Sequence, residues 1–172
     1  MILSAAEMRD QISAGRITVD PFDPAHLNPN SYSYRLGGKF YRLDRKGGKI
    51  SPYAELSIGD VVTLEPGSLY LGHTHEKIGS SFYTPSLIGR SSMGRLGLFL
   101  QVDADHGQLG DAHQWTLELR PTLPIRLIIG MAIGQVSFWS VIGSTSASSG
   151  IKSRYTQYND PTPSRLSQEL LP

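Results

Sequence analysis

A segment rich in donors for phosphate runs from Gly89 to Leu98, with the sequence GRSSMGRLGL. Arg90 and Arg95 lie in it, and the hydroxyls of Ser91 and Ser92 lie between them. Guanidinium groups bind phosphate oxygens through paired hydrogen bonds and hydroxyls add further donors, so the segment is a candidate phosphate-binding loop. Glycine and serine are equally typical of a solvent-exposed turn. From the residues alone both interpretations stay open.

The candidate catalytic group is Glu118, which lies in a segment that alternates between apolar and polar residues. This period of two predicts a strand with two distinct faces: Trp115, Leu117 and Leu119 on one, and Thr116, Glu118 and Arg120 on the other. A carboxylate that points away from the core can activate a water molecule and return its proton to a substrate. A single glutamate on a polar face is also an ordinary surface residue, and the residues alone do not decide between the two.

Composition limits the classes of function. The chain has 172 residues, a net charge of +1 and 18% charged residues, so no broad basic surface for nucleic acid is predicted. It has no cysteine, which excludes disulfides, thiolate nucleophiles and thiolate-rich zinc sites. Neither a signal peptide nor a membrane span is indicated by the apolar runs, so we expect a single-domain cytoplasmic protein.

Short strands are predicted to position both candidate groups. From residue 31 onward, short apolar runs are separated by glycine and proline, which predicts a mostly β sandwich or barrel of the jelly-roll kind. The apolar run from Leu96 to Val102 directly follows the second arginine. It would attach the arginine–serine segment to a buried strand.

The two ends of the chain are predicted to differ from this β pattern. Ser4 and the acidic residue three positions later predict a capped helix over Ala5 to Ser13, within residues 1–16, and Gly15 ends it. Residues 141–172 begin with a serine-rich stretch and continue with polar and aromatic side chains. They predict a flexible tail that closes over a ligand, or else an ordinary frayed terminus.

The histidines indicate a second possible chemistry. Gly67, His73 and His75 match the first half of a cupin metal motif, in which strand histidines share one face. The glutamate of that motif is not at its expected spacing, because Glu76 follows directly, so we expect both histidines on the polar face of a strand. Another group could hold a metal, although a hydrogen-bonded loop is favoured: Asp103, Asp105, His106, Asp111 and His113.

Three motifs occur in the order GRSSMGRLGL at 89–98, TLEL at 116–119 and PTPSR at 161–165, and three further pieces agree with them at 28–37, 66–71 and 124–135. Together they resemble the dCTP deaminase branch of the dUTPase-like superfamily over nearly the whole chain. The resemblance implies a mostly β fold, the dUTPase-like β-clip or distorted jelly-roll barrel with a short N-terminal helix, as one domain over residues 1–172. It also implies a homotrimer whose active sites are shared between subunits.

The resemblance further implies a reaction and a site. Glu118 would relay protons in the hydrolytic deamination of dCTP to dUTP and ammonia, without zinc and with Mg²⁺ bound through the nucleotide triphosphate. The backbone of Val102 and Ala104 would lie beside the base, and Arg154 and Tyr158 stand where the family's tail has a lysine and a glutamine. The implied nucleotide contacts are Arg90, Ser91, Ser92, Met93, Gly94, Arg95, Val102, Ala104, Gln108, Thr116, Leu117, Arg154, Gln157 and Tyr158.

After Ala104 the chain departs from the family pattern. The family has an Ile-Asp-Pro-Gly-Phe-x-Gly-like run there, whereas this chain has Asp105 to His113, with Gln108 in place of the aspartate. The resemblance implies that this aspartate carries the hydrolytic water in dUTP-cleaving relatives, so its replacement argues against diphosphate cleavage. The alternatives are a deaminase of another cytosine nucleotide, modified or ribo, a dUTP diphosphohydrolase, and a non-catalytic nucleotide-binding protein.

Overall fold

The computed structural model describes residues 1–43, 50–100, 104–143, 155 and 157–164. Its helices are α1 (Ala5–Ser13) and α2 (Ser91–Arg95), with a 3₁₀ turn at Pro24–His26. The strands are β1 (Thr18–Asp20), β2 (Leu27–Asn28), β3 (Ser31–Tyr32), β4 (Lys39–Leu43), β5 (Ile50–Glu55), β6 (Val61–Leu64), β7 (Leu69–Ser80), β8 (Tyr83–Gly89), β9 (Leu98–Leu100), β10 (Gly110–Pro121), β11 (Ile125–Ile128) and β12 (Gly134–Ser140).

Helix α1 forms where the sequence predicts it. The Ser4 hydroxyl accepts a hydrogen bond from the Glu7 amide at 3.3 Å, which caps the first turn. Gly15 follows at φ 69°, a left-handed conformation that glycine adopts without a Cβ clash. Met8 is fully buried, so one face of α1 packs on the core.

Antiparallel pairing organises the described strands into three sheets. The largest has the order β5-β4-β7-β10-β9, and β1 also pairs with β7. A second sheet has the order β2-β3-β12-β8, and β11 pairs with β6. Strands β7 and β10 each have 12 residues and pair from one end to the other, with two register shifts. This long pair is the frame that carries the candidate catalytic carboxylate.

The core joins side chains from the two larger sheets in one cluster. Phe40 of β4 and Phe138 of β12 both belong to it and are almost completely buried. Tyr34 is buried as well, and its hydroxyl donates to the Ile88 carbonyl at 3.1 Å, so the polar tip of this ring has a partner. Burial raises the pKa of the Tyr34 phenol well above its usual value. Gly134 is required here, because a Cβ at this position would lie 2.0 Å from the Tyr34 ring.

The prediction of a mostly β chain with a short N-terminal helix is confirmed. The short helix α2 was not predicted, because a loop was expected at Ser91–Arg95. Among the described residues, no helix has both the length and the apolar character needed to cross a membrane.

Candidate functional site

The arginine–serine segment forms the short helix α2 at the end of β8. Arg90 is extended; its amide donates to the Ile133 carbonyl at 3.3 Å, and its carbonyl accepts from the Met93 amide at 2.9 Å. Met93 is buried and holds the helix on the core, while Gly97 at φ 81° ends the helix just beyond the cap. Gly94 is half-buried. The polar side chains are all exposed: Arg90, Ser91, Ser92 and Arg95.

Strand β10 presents the candidate catalytic carboxylate as its alternation predicts. Leu117 and Leu119 are fully buried, Thr116 is half-buried, and Glu118 is exposed. The Cα partner of Glu118 is Leu71 of the central strand β7. Glu118 therefore lies on a well-supported strand, with its carboxylate on the outer side of the sheet.

Strand β9 connects helix α2 to β10. Leu98 of β9 has Pro121 as its Cα partner, and the Thr122 amide donates to the Gly97 carbonyl at 2.8 Å. Glu118 is four residues before Thr122, so its Cα lies about 14 Å along the strand direction from this contact. The turn that follows the donor helix is thus bonded to the residue just after β10, four residues beyond the carboxylate.

The segment that was predicted beside the base lies along β8. The Asp105 carbonyl accepts from the Leu87 amide at 2.7 Å, and the Gly107 amide donates to the Pro85 carbonyl at 2.8 Å. The Ser86 hydroxyl also donates to the Asp105 carboxylate at 3.4 Å. Two nucleotide contacts implied by the resemblance are exposed in this segment: Ala104 and Gln108. A hydrogen-bonded segment, as the sequence analysis favoured, therefore precedes β10.

The end of this segment is anchored by an aromatic pair. His113 is buried and its ring centre lies 4.5 Å from that of Trp115. The Trp115 indole donates to the Ile78 carbonyl at 2.9 Å, which fixes the indole ring over β7. Burial lowers the pKa of His113, although the contact of its Nδ1 with the Asp111 carbonyl acts in the opposite direction. His113 therefore favours the neutral form.

Part of the predicted C-terminal tail is docked beside Thr116. The Thr162 amide donates to the Thr116 hydroxyl at 3.0 Å, and the Gln114 amide donates to the Asn159 side chain at 3.3 Å. Tyr158 is half-buried and its hydroxyl accepts from the side chain of the exposed Gln157 at 3.1 Å. Two implied nucleotide contacts lie outside the described residues: Val102 and Arg154.

A family model described as DCD, dCTP deaminase-like, matches residues 2–141 of this chain. The dCTP deaminase of Rhodopirellula baltica is 36% identical over 174 residues, which cover 99% of this chain and 86% of that protein. A dUMP-forming dCTP deaminase of Cytophaga hutchinsonii is 40% identical over 149 residues, or 83% of this chain and 84% of that protein. This chain belongs to the dCTP deaminase-like family.

A solved structure supports the fold. The crystal structure of 2′-deoxycytidine 5′-triphosphate deaminase from Agrobacterium tumefaciens matches with a TM-score of 0.65 and 22% sequence identity. The match covers 80% of this chain and 47% of the Agrobacterium chain, so this chain spans about half the length of that protein. The dUTPase-like fold predicted from the sequence is confirmed, and so is the prediction of an enzyme of the nucleotide deaminase class.

The prediction that His73 lies on a polar strand face is wrong. In this dCTP deaminase-like chain His73 is buried, its Nδ1 donates to the Thr74 carbonyl at 2.9 Å, and its Nε2 accepts from the Lys39 amide at 3.3 Å. Burial lowers the pKa of His73, which agrees with a neutral ring that donates at one nitrogen and accepts at the other. His73 is therefore a structural residue that ties β4 to β7.

The cupin alternative is also not supported by the residues around His75. Glu76 is fully buried, and its carboxylate accepts from the Arg35 side chain at 2.6 Å and from the Arg35 amide at 2.9 Å. Among the described residues, no group of three or more histidines, aspartates or glutamates is arranged to hold a metal ion. The Asp103 member of the second candidate group lies outside those residues.

Two ionic contacts in the structure were not predicted from the sequence. One is the buried pair of Arg35 and Glu76, which an acidic residue on an otherwise buried strand could have indicated. The other joins Lys39 of β4 to Asp160 of the tail at 3.1 Å. No local pattern signals a contact between residues so far apart in the chain, and only the folded sheet brings them together.

Proposed function

We propose that this chain deaminates dCTP hydrolytically to dUTP and ammonia. The observation that carries the proposal is the arrangement along β10, where the exposed Glu118 is followed by the contact between Thr122 and the end of helix α2. The donor groups of α2 and the carboxylate of β10 are thus both exposed, and a nucleotide bound between neighbouring copies would contact α2 of one copy and Glu118 of another. Membership of the dCTP deaminase-like family supports cytosine as the base.

Each proposed role follows from the chemistry of the group. Arg90 and Arg95 bind phosphate oxygens through charge-assisted hydrogen bonds, and the serine hydroxyls add donors. The Glu118 carboxylate takes a proton from water, whose oxygen forms the new bond to C4 of the pyrimidine. The same group gives this proton to the ring nitrogen. It then takes the proton of the new C4 hydroxyl and delivers it to the amino group, so that the C4 carbonyl forms, the C4–N bond breaks and ammonia leaves. The half-buried Thr116 lies beside the pyrimidine, two residues before Glu118.

Magnesium would enter with the nucleotide in this proposal. The side chains that α2 exposes are guanidinium and hydroxyl groups, which suit phosphate oxygens and not a hard cation. Mg²⁺ typically keeps several waters and binds through substrate phosphates, so it would neutralise triphosphate charge without a protein cage. The chain has no cysteine for the zinc-bound hydroxide of the cysteine-dependent deaminases, and the proposed chemistry uses Glu118 without zinc.

We further propose a cytoplasmic homotrimer in which neighbouring copies complete each site. Leu96 and Phe99 support an assembly, because these large apolar side chains are exposed beside α2. The test is complementation between two impaired variants, Arg95→Ala and Glu118→Gln, which are refolded together and assayed at a dCTP concentration far below the KM of Arg95→Ala. With shared sites, an equal mixture regains about a quarter of the wild-type activity, since that fraction of sites receives both intact residues. Absence of any regained activity would contradict shared sites.

A second candidate reaction continues to dUMP with release of pyrophosphate. It is favoured by relatives in Cytophaga hutchinsonii and Leptospira biflexa, which are both named dCTP deaminase, dUMP-forming. Against it stands Gln108, whose exposed amide cannot accept a proton from water as a carboxylate can. Assaying ammonia and pyrophosphate with dCTP, CTP, dCMP, 5-substituted analogues and dUTP separates these candidates. Ammonia from dCTP without pyrophosphate is the expected result.

The decisive variant is Glu118→Gln, which keeps the size of the side chain and removes its basicity. We expect kcat for ammonia release to fall at least about 100-fold, because general acid–base catalysis contributes 10²–10⁴-fold. Binding of dCTP in calorimetry should stay within about threefold, since no phosphate contact is removed. Glu65→Gln, an exposed glutamate between β6 and β7, is the matched control and should retain full activity. Turnover by Glu118→Gln near the wild-type rate would reject the assignment.

A further inference from the structure

The C-terminal segment from Asn159 to Thr162 is hydrogen-bonded to β10 at two positions along the strand. The Thr162 amide binds the Thr116 hydroxyl at 3.0 Å, and the Asn159 side chain binds the Gln114 amide at 3.3 Å. Pro161 between them is buried. The segment therefore crosses the sheet at Thr116, two residues before Glu118 on the same strand.

A charged contact joins this segment to a different strand. The Lys39 ammonium of β4 lies 3.1 Å from one Asp160 carboxylate oxygen and donates to the other at 3.2 Å. Glu55 of β5 is a more distant partner, at 3.6 Å. The hydrogen bond to Asp160 is the main cause that raises the pKa of Lys39, ahead of any effect of Glu55. Lys39 thus binds the C-terminal segment more closely than it binds its neighbouring strand.

We propose that Lys39 is a positioning residue for deamination, which acts by holding Asp160 and so fixing the C-terminal segment against Thr116. The inference rests on the proposed function, because it takes the pyrimidine to lie beside Thr116. Tyr158 immediately precedes the docked residues, so the position of its ring follows from where Asn159 and Asp160 are held. Without the ion pair, the described contacts of the segment to β10 remain, but its contact with β4 is lost.

The expected effect is modest, because both partners are partly in solvent. The Lys39 and Asp160 side chains are 41% and 61% exposed, and exposed ion pairs contribute little to stability. Lys39→Ala should raise KM for dCTP about two- to fivefold and leave kcat within about twofold. A loss confined to kcat, or an unchanged KM, would overturn the proposal.

The ion pair itself is tested by a double-mutant cycle. Asp160→Ala should raise KM as much as Lys39→Ala does, and the double variant should add nothing further. Lys39→Arg should keep most of the wild-type KM, and the charge swap Lys39→Asp with Asp160→Lys should recover most of it. Glu55→Gln is the matched control: it removes the other carboxylate near Lys39 and should leave KM unchanged. Independent, additive effects of the two single variants would contradict a direct pairing.

Hydrogen exchange tests the anchor separately from catalysis. In the wild-type chain, the peptide that contains Thr162 should exchange slowly, because its amide is bonded to Thr116. Lys39→Ala and Asp160→Ala should both speed exchange in this peptide, while Glu55→Gln should not. If the wild-type protein does not release ammonia from dCTP, the proposed function is wrong. The hydrogen-exchange comparison would still show whether Lys39 and Asp160 hold the C-terminal segment in place. Equal exchange in wild type and Lys39→Ala would reject the anchor itself.

Discussion

Helix α2 and the segment from Asp105 to His113 are held in opposite ways. In α2 one buried side chain, Met93, fixes the helix, and a Cβ added at Gly94 would meet no other group within 4 Å. In the second segment the backbone is bonded to β8, and Gly107 packs directly beneath the Trp115 ring. The polar side chains of α2 are therefore exposed and take little part in packing, whereas the second segment is packed against Trp115 and bonded to β8.

The sequence resemblance to the family is most specific in the first of these regions and is lost in the second. The α2 segment carries the most specific part of the resemblance, and its polar side chains all face solvent. The divergent segment has instead a buried His113 stacked on Trp115 and a glycine that permits close contact. The departure from the family pattern is thus accompanied by local packing that keeps β10 in place.

The largest expected effect comes from removing one of the arginine side chains that α2 exposes. Arg95→Ala should weaken dCTP binding about 10- to 100-fold, because a hydrogen bond to a charged group is worth about 1.5–3 kcal/mol. Thermal stability should not change, since the Arg95 side chain is exposed. Calorimetric titration and thermal melting measure the two effects. Arg126→Ala, an exposed arginine on β11, is the control and should keep wild-type affinity; equal losses in both variants would indicate only a general charge effect.

A smaller effect is expected from adding a methyl group in the packed segment from Asp105 to His113. In Gly107→Ala the new Cβ would meet the Trp115 ring at 2.3 Å and the Pro85 side chain at 2.8 Å. Overpacking of this kind costs about 1–3 kcal/mol of unfolding free energy, which urea denaturation measures. Gly94→Ala is the matched control, because its Cβ meets nothing within 4 Å and alanine favours a helix. Equal unfolding free energies for Gly107→Ala and Gly94→Ala would show that close packing at Gly107 does not contribute to stability.

The sequence predicted those features that depend on neighbouring residues. Capping by Ser4 and the alternation around Glu118 are local patterns, and both are present in the structure. Helix α2 was missed because glycine and serine favour turns in isolation, and burial of Met93 together with the following β9 strand stabilises the helix. These contributions come from tertiary contacts that no short pattern contains.

Burial of His73 was missed for a related reason. Alternation predicts a polar face only where one side of a strand meets solvent, and β7 is buried on both sides along most of its length. The contact of Lys39 with Asp160 depends on how the tail crosses the sheet, which the sequence does not specify locally. Local chemistry therefore identified the candidate groups, and the folded sheet was needed to show which of them are structural.

The smallest effect is expected in the dependence of stability on pH, and it concerns the packed segment from Asp105 to His113. Burial lowers the pKa of His113 in the folded chain relative to the unfolded chain, where a histidine titrates near about 6.5. The unfolded chain then binds more protons as pH falls below that value, so the free energy of unfolding decreases from there toward the lower folded-state pKa. His113→Phe keeps a ring against Trp115 and cannot be protonated, so its urea midpoint should fall less between pH 7.5 and 5.5 than that of wild type. His106→Phe is the matched control, because it makes the same replacement at an exposed position of the same segment, and the smaller fall is expected in His113→Phe alone. An equal or steeper pH dependence in His113→Phe than in wild type would mean that groups other than His113 set the acid sensitivity of the fold.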